Sequence, residues 1–191
     1  MLTRAIGVAV LSVFAVAQIP DAREALRLGR SLDETLYAAF TKGYSLAPVD
    51  PIESAEIITE FRRAVLIARG RAQLGEFGFT ERDLNVAMTP HLGLITFVVQ
   101  VRLHPMHTYA AAPAYDLYVG TGPDTPPLAG PEMKRDPIYA IGATGSPLIA
   151  VRLEVTIPRA KIEAAPKPEL ILIDDRASVM WRSRIDLSRF R

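Results

Sequence analysis

Two stretches of this chain alternate apolar and polar residues with a period of two, and that alternation constrains the fold more than any other feature. Over residues 94–103, Ile95, Phe97, Val99, Val101 and Leu103 fall on one face of an extended strand. Over residues 148–157, Ile149, Val151, Leu153, Val155 and Ile157 share one face, and Arg152, Glu154 and Thr156 share the other. Successive side chains of a strand point to opposite faces, so each stretch needs a core on one side only. Shorter runs at 117–119, 138–141, 170–173 and 179–187 read as further strands. Asp174-Asp175-Arg176 suits a tight hairpin between the last two. Trp181, the single tryptophan, falls on the inward register of the final strand and reads as a core anchor. Six or seven short strands between Leu84 and Leu187 predict an antiparallel, immunoglobulin-like β-sandwich.

Upstream of Gly78 the period is helical. Asp21 with Glu24, and Ser31 with Glu34, have capping-box spacing on either side of Gly29. Leu28, Leu32, Leu36, Ala39 and Phe40 would form one apolar face, ending at a Gly43 cap. Residues 51–74 predict the longest helix. Asp50 is the expected N-cap, Pro51 the first position, and Glu53 the third. Ile58, Phe61, Val65, Ala68 and Ala72 keep helical spacing, and glutamates precede arginines as the helix dipole favours. The expected class is therefore α+β, with two to three helices in a segment at 18–78 and a β-sandwich domain at 79–191. Prolines from Pro105 to Pro147 mark long connections between strands, not a linker.

Residues 1–17 read as a signal peptide. Arg4 supplies a short charged start, residues 5–16 are apolar, and Ala15-Val16-Ala17 has the small-x-small pattern of a cleavage site. Cleavage would expose Gln18 and leave no stable membrane span, because Pro20 and Asp21 end the apolar run short of the ~20 residues a span requires. The expectation is a periplasmic or secreted protein. The chain has no cysteine, which excludes disulfides, thiol catalysis and thiolate metal sites. Arg4 is the only charge in the removed segment, so the remaining chain is formally neutral. Neutrality argues against nucleic acid as a partner.

Two groups of residues are candidates for function. Tyr109, Tyr115, Tyr118 and Tyr139 lie in or beside the proline-rich connections, where an amphipathic ring suits a recognition surface. They point to a non-enzymatic module that binds an envelope protein, with no cofactor. The alternative is copper bound by His104 and His107 with Met106 or His91, since imidazole and thioether ligands suit that metal. No serine elbow, H-E-x-x-H, phosphate loop or dinucleotide fingerprint is present. Gly120-Thr121-Gly122 runs into Pro123 and lacks the helix start a phosphate cradle needs. The layout of targeting segment, helices and sandwich is similar to that of bacterial envelope proteins, and the similarity is one of layout alone.

Overall fold

The computed structural model describes residues 21–106, 111–128, 133–141 and 147–190. Residues 1–20, and with them the expected signal peptide, lie outside that set. The described chain holds five α-helices and seven strands. In order these are α1 (Ala22–Gly29), α2 (Glu34–Lys42), β1 (Ile52–Ile58), α3 (Glu60–Gln73), α4 (Glu81–Met88), β2 (Leu94–Arg102), β3 (Asp116–Gly120), β4 (Met133–Tyr139), β5 (Leu148–Pro158), α5 (Arg159–Ala164), β6 (Glu169–Ile173) and β7 (Val179–Arg184).

The strands form two antiparallel sheets. One has the order β1-β2-β5-β4 and the other β3-β6-β7. Alternation over β2 places Ile95, Phe97, Val99 and Val101 inward, and their β5 partners Ile157, Val155, Leu153 and Val151 lie on the same face. These rows share one hydrophobic core with Leu117, Val119, Leu170, Leu172 and Trp181 of the other sheet. The Trp181 side chain is buried there, as its register requires. Each fully buried Leu, Ile or Phe of this core contributes about 1.5–3 kcal/mol, so the shared core carries most of the stability in a chain without cysteine.

The expected helix at 51–74 is corrected. Residues 52–58 form a strand, and the helix begins only at Glu60. Its cap is the Thr59 hydroxyl, which accepts from the Arg62 amide at 3.3 Å, and not Asp50. Ile52, Ala55 and Ile57 bury against the sheet core. Pairing with β2, from Ile52 opposite Val101 to Ile58 opposite Thr96, overrides the helical spacing of a β-branched run. From Phe61 onward the predicted face holds, because Phe61, Val65 and Ala68 are buried.

A second core sits among the helices. Ala22, Ala25, Leu26 and Leu28 of α1 meet Phe61, Ala64, Val65 and Ala68 of α3 and Leu84 and Met88 of α4. The sequence reading did not place α4. It starts on a Thr80–Asp83 capping box and buries only Leu84 and Met88, one turn apart. Helix- and sheet-forming stretches therefore interleave along the chain: β1 precedes α3 and α4, which precede β2. The expected caps also shift. Asp21 makes no side-chain cap bond, and Asp33, not Ser31, caps α2 by accepting from the Leu36 amide at 3.0 Å. The predicted apolar face of α2 is not buried: Leu32 is 94% exposed, and α2 has no buried residue.

Arg62 joins the two cores. Its guanidinium lies 5.6, 5.3 and 5.9 Å from the ring centres of Tyr37, Phe40 and Tyr44. It donates to the Tyr37 hydroxyl at 3.3 Å and reaches Glu56 at 3.5 Å, while its Nε has no partner. Phe40 touches both cores.

Candidate functional site

One end of the four-stranded sheet collects the start of β1, the end of β2, the end of β4 and the start of β5. Backbone bonds hold these segments together. The Arg102 amide donates to the Pro51 carbonyl (2.9 Å), Leu103 to Ile149 (2.8 Å) and Ala140 to Pro147 (2.9 Å). The β1, β2 and β5 segments line a pocket of about 620 Å³, with Leu103 and Leu148 buried at its base and Asp50, Arg102 and His104 exposed at its rim. Arg102 pairs with Asp50 at 2.7 Å with both side chains exposed, so the pair adds little stability and shapes the rim.

Among the described residues, large apolar side chains exposed around this end include Met106, Tyr139, Ile141 and Ile149, with Val49 just before Asp50. Ile149 was expected on the inward face of β5. A register shift between β4 and β5 pairs Ile138 with Ala150 and Tyr139 with Leu148, which leaves Ile149 with no residue opposite it on β4. The bulge turns Leu148 and Ala150 into the protein and Ile149 out. Scattered exposed apolar residues are ordinary, but a group on adjacent segments is a feature of contact surfaces.

The tyrosines divide. Tyr139 is exposed at this end. Tyr115, just before β3, is half-buried and packs on the sheet core, with its carbonyl accepting from Arg135 at 2.6 Å. Tyr118 lies farther along β3 and donates to the Pro123 carbonyl at 3.3 Å. Burial, and then the nearby Asp124 charge, push its hydroxyl above the ordinary tyrosine range. Tyr109 lies outside the described residues.

The histidines divide as well. His91 precedes β2 and His104 follows it. At ~3.3 Å per residue, a nine-residue strand holds the two roughly 30 Å apart. One metal ion cannot bridge that distance, so the structure does not bring His91 to His104. The His104 Nδ1 accepts from the Met106 amide at 3.2 Å. Burial, with the Arg63 charge beside it, holds the His91 imidazole below its usual range. His107 lies outside the described residues. Among the described residues no three of His, Asp and Glu are grouped to hold a metal.

A polar ladder crosses the sheet under α3. Arg63 donates to the Thr96 hydroxyl at 2.6 Å, and Thr96 and Thr156 share a hydrogen bond at 2.9 Å. Burial lowers the Arg63 guanidinium from its usual range, partly offset by Glu154. Through Arg63, Thr96 and Thr156 the ladder ties helix α3 to the sheet.

The residues that sequence reasoning missed are Met106 as a surface group, Ile141 and Ile149. Only a bulge, which two-residue periodicity does not reveal, turns Ile149 outward. No protein-family model, curated protein or solved structure matches the chain.

Proposed function

We propose that the chain is an exported, non-enzymatic interaction module, and that an immunoglobulin-like sandwich presents its contact surface at the loop end described above. The observation that carries this reading is the exposed group Met106, Tyr139, Ile141 and Ile149 on adjoining segments. The strand order supports it. Read in chain order, β1-β2-β5-β4 and β3-β6-β7 match the ABED and CFG strand orders of a constant-type immunoglobulin domain. In that arrangement the β2–β3, β4–β5 and β6–β7 connections leave from one end, and rigid sheets carry loops that are free to specialise. This chain departs from that pattern by inserting α3 and α4 between its first two strands and by lacking a disulfide.

A photo-crosslinking side chain at position 141 tests the surface in intact cells. A discrete adduct is expected from position 141 and none from position 74, another exposed apolar site, at the end of helix α3. No adduct from 141, or the same adducts from both positions, contradicts the reading.

Export is tested separately by intact mass and N-terminal sequencing of the protein from fractionated cells. The expected chain begins at Gln18 and partitions outside the cytoplasm. A cytoplasmic protein that retains Met1 contradicts export. No helix among the described residues is long and apolar enough to cross a membrane.

A further inference from the structure

We infer that the outer edge of β7 is a strand-addition site that takes an extended acidic segment of a partner protein. A sheet edge presents a row of unpaired amides and carbonyls, and folded proteins usually cover or block such rows. Two antiparallel sheets give four edges, formed here by β1, β4, β3 and β7.

Three of these are covered or blocked. The segment before β1 runs along it, with the Leu46 amide donating to the Ala55 carbonyl (2.8 Å) and the Ile57 amide to the Tyr44 carbonyl (2.9 Å). The β4 edge carries Pro137, which has no amide to offer, beside Lys134, Arg135 and Asp136. The β3 edge is five residues long, and the Leu128 amide already donates to its Val119 carbonyl at 2.9 Å. The six-residue β7 edge has no proline, and among the described residues no backbone hydrogen bond reaches its outer side.

Charge selects the occupant. Arg182 and Arg184 stand exposed on the β7 face opposite the buried Trp181, and neither has an ion pair among the described residues. Where β7 ends, a notch of about 530 Å³ is lined by Lys167, Arg184 and Arg189. Asp186 also faces it, accepting from the Ser188 amide (3.1 Å) and hydroxyl (2.6 Å) and feeling the charges of Arg189 and Arg184, and the three cations outnumber this one carboxylate. Glu169 lies opposite Arg184 on β6, the strand farther from the edge. An incoming strand with alternating carboxylates would meet Arg182 and Arg184 along its length and the notch at its end. A second copy of β7 would instead set arginines against arginines, which is unfavourable across a strand pair. The main-chain ladder supplies affinity, and the arginines supply selectivity. This surface is distinct from the loop end, so either can fail without the other.

Amide hydrogen exchange on the whole chain tests the inference, with three synthetic peptides at millimolar concentration. The first alternates valine and glutamate. The second alternates valine and lysine. The third repeats the first with N-methyl groups along both edges. Protection of the amides at 180–184 should rise about tenfold with the first peptide alone, and an R182E/R184E double variant should lose the effect. Equal protection with the lysine or N-methylated peptide overturns the inference. So does protection confined to other strands, protection that rises with protein concentration alone, or no protection at all.

Discussion

Replacing Gly29 by leucine is expected to cost more than about 3 kcal/mol and to dissolve the helical core. A Cβ on Gly29 would sit 2.5 Å from the Ala68 Cβ, 2.8 Å from the Val65 carbonyl oxygen and 2.8 Å from the Arg69 amide nitrogen. Two of those three atoms are backbone, which cannot rotate aside. The approach is close because Ala25 and Gly29 of α1 face Ala64 and Ala68 of α3, all of them buried. Gly70, on the same helix α3, has no atom within 4 Å of its virtual Cβ. Gly70→Ala should therefore stabilise by about 0.5–1 kcal/mol through helix propensity alone. Urea unfolding followed by far-ultraviolet circular dichroism and by Trp181 emission checks both. In Gly29→Leu the helical signal should be lost at lower urea than the emission signal, because Trp181 belongs to the sheet core. A Gly29→Leu midpoint equal to that of the parent chain contradicts the packing account.

Arg62→Ala is the second large expected effect, a loss of about 2–4 kcal/mol. Truncation empties a box bounded by Tyr37, Phe40 and Tyr44 and loosens α2, which is otherwise held by Phe40 against both cores and by the Glu34–Arg69 pair at 2.6 Å with Tyr37 stacked 3.7 Å from Arg69. The Glu56 partner keeps 28% of its side-chain surface in water, so it rehydrates and adds little to the cost. Arg62→Met separates packing from charge. Methionine refills the box and removes an unpaired buried Nε, so the loss should stay below about 1.5 kcal/mol. Equal losses in the two variants would mean that the charge, and not the filled volume, holds the cores together.

The parts of the fold legible in the sequence are those with a single possible partner surface. The odd-numbered positions from Ile95 through β2 to Leu103 are all buried, as alternation requires, while Thr96 and Val98 on the opposite face are buried as well, which alternation does not indicate. The hairpin through Asp174 to Ser178 closes with the Asp174 amide donating to the Ser178 carbonyl at 3.0 Å, as its turn residues suggest. Local signals gave way where a distant partner decided. Ile58 fits the helical spacing of α3 and also the end of β1, and only pairing with Thr96 settles its place. Leu32 and Leu36 have helical spacing but no facing surface, so the middle of the predicted stripe is exposed while Leu28 is buried and Phe40 packs on both cores. The candidate site was legible only in part. Tyr139, Pro105 and Pro147 lie at the end of the sheet proposed as the contact surface, while Tyr118 turns toward Pro123. The exposure of Ile149 depends on a one-residue register shift that leaves no trace in composition or period.

The central claim, that the loop end is a contact surface, is tested most directly by a binding measurement. A Met106→Asp/Ile141→Asp double variant would be titrated against the partner captured through position 141. Both side chains are exposed, so the urea midpoint should match that of the parent chain. The affinity should fall by about a hundredfold, the loss expected when two apolar contacts at an interface centre are replaced by charges. An affinity within about twofold of the parent, with the fold intact, would contradict the account.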